Sequence, residues 1–121
     1  IVGHRHIVSE LPAWGNELLS SIGGTNHNFC FFKMLKDNVI PFHKDVYTFY
    51  KNMYGLTDST NVWRTIVFLE DWVDGHLFAI ENYNLTNWVA GEYVSWNDDA
   101  IHMAANISET PRYTLQITYT K

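Results

Sequence analysis

The stretch Arg112-Tyr113-Thr114-Leu115-Gln116-Ile117-Thr118-Tyr119-Thr120 alternates without a break. Successive side chains of a strand point to opposite faces. Tyr113, Leu115, Ile117 and Tyr119 therefore share one face, and Arg112, Thr114, Gln116, Thr118 and Thr120 share the other. In a simple two-layer sandwich the polar set faces solvent. In a ligand-holding jelly roll it faces a wet barrel interior and brings Arg112 inside. Periodicity permits both.

Upstream, the same kind of segment recurs between turn residues. Extended runs cover Asn28–Lys36, Val39–Lys44, Trp63–Glu70, His76–Glu81, Glu92–Trp96 (led into by Asn87–Gly91) and Ile101–Asn106. Pro41 marks an edge or a strand start. Asp74-Gly75 is a hairpin signal, and Asn82–Asn84 and Asn97–Asp99 read as turns. Seven or eight such strands indicate a sandwich or barrel. One short N-terminal helix is expected over Ser9–Ser21, capped by Ser9, striped by Leu11, Trp14, Leu18 and Ile22, and stopped by Gly23-Gly24. Gly15 weakens that stripe. Residues 46–62 read as a long irregular loop, a length usually reserved for functional or mobile segments.

The chain has 121 residues, 46% hydrophobic, 16% aromatic and 17% charged, which suits one packed domain over residues 1–121 and not a disordered chain. It begins at Ile1 rather than Met, which leaves room for a missing first strand or arm. The formal net charge is −5 and no run of Lys or Arg occurs, so no standing nucleic-acid partner is expected. No apolar run approaches a membrane span, and no membrane association is expected. The single cysteine, Cys30, is expected to be a small buried hydrophobe, consistent with a reducing, cytoplasmic setting.

Chemistry concentrates in Pro41-Phe42-His43-Lys44-Asp45. Residues i and i+2 of a strand project from one face, so His43 and Asp45 can address one atom. A second imidazole from a distant strand would complete a facial triad, which leaves adjacent positions open on Fe(II). His102, in a β segment after the Asn97-Asp98-Asp99 turn, is the natural third ligand. Arg112 follows ten residues later on the next strand, where a guanidinium can grip a carboxylate bidentately.

His43-x-Asp45, His102 and Arg112, together with Trp63-Arg64-Thr65-Ile66-Val67-Phe68-Leu69, Asp74-Gly75, Trp88-x-x-Gly91-Glu92, Asp98-Asp99 and Arg112-Tyr113, resemble the Fe(II)/2-oxoglutarate dioxygenases. The similarity is to their compact members, which include aspartyl/asparaginyl and prolyl hydroxylases. It covers roughly residues 39–120 and leaves the first 35 unexplained. The carboxylate at Asp45 departs from the aspartyl/asparaginyl β-hydroxylase pattern and gives a full triad. The resemblance implies a double-stranded β-helix, or jelly roll, with Fe(II) held by His43, Asp45 and His102. It also implies 2-oxoglutarate as co-substrate, its distal carboxylate on Arg112, and its conversion to succinate and CO2 as a substrate is hydroxylated. Compactness and the lack of a basic surface tilt the substrate toward an amino acid or peptide side chain over a nucleobase or other small metabolite.

Other residues admit two readings each. Arg64 shares a face with Ile66 and Phe68 and either contributes to co-substrate or substrate binding or forms a rim salt bridge with Glu70 or Asp71. Thr114 either adds a hydroxyl to the distal carboxylate or simply lines the barrel. Trp72, Trp88 and Trp96 wall a substrate or fill the core. The aromatic run Tyr47–Tyr54 is a lid or a second small core. Asp98 and Asp99 orient His102 or merely make the turn. His4, His6, His27 and His76 are expected to be superficial or incidental. Two competing functions remain: a cupin-type metalloprotein without 2-oxoglutarate, and a non-enzymatic jelly-roll module whose histidines only hydrogen-bond and whose Arg112 pairs with Asp98 or Asp99.

Overall fold

A computed structural model describes residues 4–98 and 100–121. The elements run β1 (His4–Val8), α1 (Gly15–Ile22), β2 (Thr25–Met34), β3 (Val39–His43), α2 (Thr48–Met53), β4 (Val62–Phe68), β5 (His76–Ile80), β6 (Tyr83–Leu85), β7 (Tyr93–Asn97), β8 (His102–Asn106) and β9 (Arg112–Thr120). They build two antiparallel sheets, one ordered β1-β2-β9-β4-β7 and the other β3-β8-β5-β6. This is the expected mainly β jelly roll. No helix among the described residues is long and apolar enough to cross a membrane.

The alternation in β9 resolves in favour of a polar interior, with a consequence for the opposite face. Arg112, Thr114 and Thr118 are buried, although they belong to the polar set. Arg112, Thr114 and Gln116 line a cavity between the sheets. Leu115, Ile117 and Tyr119 are fully buried too, in a cluster with Ile22, Phe29 and Val67 against which Leu11, Leu18 and Leu19 pack. That apolar face lies under α1, outside the barrel. Each such side chain contributes about 1.5–3 kcal/mol by burial. Strand β4 repeats the division: Ile66 and Phe68 join the inner cluster of Met34, Phe78, Ile80, Trp88, Trp96 and Ala104, while Val67 joins the outer one.

Three local expectations are corrected. The helix starts at Gly15, not Ser9; its N-cap position is Trp14, which makes no side-chain cap bond. Its end is as expected, since Gly23 and Gly24 both have positive φ. A Cβ on Gly24 would stand 2.5 Å from the Thr120 carbonyl oxygen, so the chain can pass this close to β9 only as glycine. The segment 46–62 is not irregular throughout, because it carries α2. It folds down as a small core of Tyr47, Tyr50 and Val62, with Tyr54 and Leu56 against it. Two of its hydroxyls anchor it to β2, Tyr50 to the Asn26 carbonyl at 2.7 Å and Tyr54 to Asn28 Oδ1 at 2.6 Å. Finally, the expected turn over Asn82–Asn84 contains the start of β6, which pairs with β5.

Candidate metal centre

His43 and His102 are direct cross-strand partners in the β3–β8 pair. Their ring centroids lie 4.3 Å apart. Asp45 sits just beyond the end of β3, and one donor atom from each of the three residues lies within 4.8 Å of the others. His43 Nε2 is 3.3 Å from Asp45 Oδ1, and His102 Nε2 is 3.3 Å from Oδ2.

The other ring nitrogens fix the chemistry of this cluster. His43 Nδ1 lies 2.7 Å from the Pro41 carbonyl and His102 Nδ1 lies 3.1 Å from that of Ala100. A carbonyl only accepts, so each Nδ1 carries the proton it donates. In the neutral tautomer both Nε2 lone pairs then face carboxylate oxygens. Such convergence of acceptors needs a cation or a proton among them, and two imidazoles with one carboxylate are a donor set suited to a first-row transition metal. The residues fit Fe(II). Of the two readings of Asp98 the turn-making one holds: the Ala100 carbonyl orients His102, and Asp98 stands in the turn and approaches Lys51 at 4.0 Å. Asp99 lies outside the described residues.

Asp45 is gripped from three further directions. Tyr47 Oη donates to Oδ2 at 2.9 Å, Trp96 Nε1 to the same oxygen at 3.3 Å, and Arg64 Nη1 stands 3.3 Å from Oδ1. Burial pushes the Asp45 carboxyl upward, but a hydrogen bond from His102, made when its Nε2 carries the proton that takes the place of a metal, and the Arg64 charge outweigh it. With the Tyr47 hydroxyl they hold it well below the usual carboxylate range. Burial, with the Asp45 charge adding to it, raises the Tyr47 phenol, so its hydroxyl remains a donor. Arg64 is itself positioned by two bonds to Thr118 Oγ1, at 3.2 and 3.1 Å, and lies 4.9 Å over the Tyr47 ring. Of its two sequence readings, the rim pairing with Glu70 or Asp71 is replaced by the pairing with Asp45.

Triad, Arg64, Arg112 and Thr114 line one cavity of about 320 Å³, walled by Ile66, Phe78, Trp96 and Ala104. Arg112 is 5% exposed, and its Nε and Nη1 atoms have no hydrogen-bond partner among the described residues. It makes no ion pair with Asp98. Its guanidinium lies 5.7 Å from the Phe78 ring centroid, and burial pushes its pKa down to about 10. A charged guanidinium left so poorly satisfied is costly unless an anion completes it. The residues fit a carboxylate ligand at this place.

The remaining histidines and tryptophans divide between expectation and correction. His4 and His6 are exposed on β1. His27 is half-buried and bonds to the Gly23 carbonyl. His76, expected to be superficial, is buried and reaches the Thr110 carbonyl at 2.8 Å. Trp88 stacks on Phe68 in the core, Trp72 donates to the His76 carbonyl, and only Trp96 both fills the core and lines the cavity. Cys30 is half-buried rather than buried.

No family model and no curated protein matches the sequence. Solved structures share the fold. A prolyl-4-hydroxylase from Pseudomonas putida superposes with a TM-score of 0.69 at 13% identity, covering 99% of this chain and 73% of that one. The cupin domain of an XRE-family transcriptional regulator from Enterobacter cloacae gives 0.60 at 11% identity, over 100% and 99% of the two chains. A predicted oxalate decarboxylase from Thermotoga maritima gives 0.57 at 12%, over 97% and 81%. At these identities the likeness is one of architecture: the chain has the double-stranded β-helix, or cupin-barrel, fold.

Proposed function

We propose that this protein is an Fe(II)- and 2-oxoglutarate-dependent oxygenase that hydroxylates an amino acid or a peptide side chain and converts 2-oxoglutarate to succinate. The observation that carries this reading is the buried, unsatisfied guanidinium of Arg112 in the same cavity as His43, Asp45 and His102. A cupin-type metal site without 2-oxoglutarate accounts for the triad but leaves Arg112 charged in the barrel with nothing to bind. A structural jelly roll accounts for neither.

His43 and His102 would hold the metal through Nε2, with Nδ1 of each tied to the backbone so the rings cannot turn. Asp45 would supply the third ligand, its spare lone pairs taken by Tyr47, Trp96 and Arg64. Arg112 would bind the distal carboxylate of 2-oxoglutarate, with the Thr114 hydroxyl on the same strand face beside it. Fe(II) would supply the activation of dioxygen that couples decarboxylation of 2-oxoglutarate to hydroxylation of the substrate. Ile66, Phe78, Trp96 and Ala104 give the site an apolar wall beside the metal residues.

The test is succinate release from 2-oxoglutarate in the presence of Fe(II) and air, with iron content and 2-oxoglutarate binding measured alongside. His102→Ala should lose iron. Arg112→Ala should keep iron and bind 2-oxoglutarate more weakly by about tenfold or more. Wild-type protein that holds iron but neither binds nor consumes 2-oxoglutarate would leave the cupin-type reading in its place.

A further inference from the structure

The cavity holds more positive charge than a metal and one co-substrate require. Its titratable lining comprises Arg5, Arg64, Arg112, His43, His102 and Asp45. Three guanidinium charges thus face a single carboxylate, in a protein whose formal net charge is −5. A divalent cation and a doubly charged 2-oxoglutarate cancel each other and leave that surplus unchanged. Arg64 is committed to Asp45, and Arg112 suits the distal carboxylate of the co-substrate. Arg5 remains, with no ion pair among the described residues.

The placement of Arg5 suits a second anion. It lies on β1, at the edge of the five-stranded sheet, directly opposite Phe32 of β2. Phe32 packs on the inner core cluster, and the Arg5 guanidinium lies 6.0 Å from its ring centroid, so Arg5 stands on the interior side of the sheet. Unlike Arg112 it is exposed, as befits the mouth of the cavity rather than its floor. Phe32 and Ile40 line the wall together with Arg5 and the metal residue His43, which provides an apolar surface beside the charge.

We propose that Arg5 anchors a free carboxylate of the primary substrate, which is therefore a small acid with an aliphatic body, such as a free amino acid, and not an internal residue of a polypeptide. This rests on the oxygenase reading, but Arg5 and Arg112 assign the two anions to different ends of the cavity and can be tested apart. A guanidinium pairs with a carboxylate through charge-assisted bonds that an uncharged amide cannot match.

The probe is a pool of free L-amino acids and short aliphatic carboxylates, compared with the same compounds as carboxamides. Binding is read by ligand-observed NMR on protein loaded with Zn(II) and 2-oxoglutarate, and turnover by succinate release with Fe(II) in air. At least one acid should bind about tenfold more tightly than its amide and stimulate succinate release. Arg5→Ala should erase that preference, and with it the stimulation of succinate release by the acid, while 2-oxoglutarate still binds; Arg5→Lys should restore part of the preference. Equal binding of acid and amide, a preference that survives Arg5→Ala, or no response to any compound of the pool overturns the proposal. Arg5 would then be no more than a charge guarding an open sheet edge. Failure of 2-oxoglutarate itself to bind is a separate result and counts against the oxygenase reading.

Discussion

Tyr47 returns its hydroxyl to Asp45, two residues before it, at 2.9 Å. The carboxylate is thereby tied to the small core that Tyr47 builds with Tyr50 and Val62. The segment after the metal residues acts as a buttress and not as a loose cover. Tyr47→Phe keeps the ring and removes only the bond. Metal affinity should fall about tenfold, the usual range for a lost bond to a ligating carboxylate, with the fold retained. Titration with Co(II), followed by its visible absorption, checks this; unchanged affinity would show that Arg64 and Trp96 hold Asp45 without help.

Arg112 predicts an inverse relation between stability and ligand response. Its guanidinium is buried with two nitrogens that have no partner among the described residues, and burial lowers its pKa. Arg112→Met should leave the ligand-free protein as stable as wild type or more so, by on the order of 1–4 kcal/mol. The same variant should lose the thermal stabilisation that wild type gains from 2-oxoglutarate. Thermal melts with and without ligand separate the two effects. A variant that melts well below wild type without ligand would mean that Arg112 is a structural residue.

At alkaline pH the second core should weaken first. Tyr50 is buried and its pKa is pushed up to about 12, chiefly by burial, against about 10 for an exposed phenol. A group raised in the folded state stabilises below its unfolded pKa and loses that contribution as pH rises through the folded value. Stability should therefore decline between pH 10 and 12. Tyr50→Phe should cost about 1 kcal/mol near neutrality, through the lost bond to the Asn26 carbonyl, and flatten part of the alkaline decline. Urea unfolding across that range, with tyrosinate absorbance as a second probe, measures both.

Ile117 tests the outer face of β9. It is fully buried in the cluster under α1 and does not line the cavity. Ile117→Ala should cost about 2–5 kcal/mol in urea unfolding. Below its melting point it should bind 2-oxoglutarate as wild type does. Weakened binding in the folded variant would show that the two faces of the strand are coupled.

The sequence made some of this legible for identifiable reasons. A two-residue spacing reports a shared face, so the approach of His43 to Asp45 is visible in a pentapeptide. The unbroken alternation of Arg112–Thr120 reveals a two-faced strand, but which face is wet depends on α1 covering the apolar one, a contact between residues about a hundred positions apart. Strand β1 has no signature in the sequence, because His4-Arg5-His6-Ile7-Val8 is almost wholly exposed and carries no alternating apolar signal. The six residues of α2 are too short for a helical stripe and lack a side-chain cap. The partner of His102 is a backbone carbonyl, which has no signature in any residue type. His76 is buried against a carbonyl 34 residues away, and the pairing of Arg64 with Asp45 appears only once the sheet that carries β4 is laid over the sheet that carries β3.

The double burial of β9 separates two kinds of inheritance within a single strand. Leu115, Ile117 and Tyr119 hold the barrel together from outside, so Thr114 and Gln116, which line the cavity, are released from that duty. Substitutions at those two positions can recast the shape and polarity of the chamber while the outer three keep it folded. A scaffold organised in this way can change what it accepts without first becoming more stable.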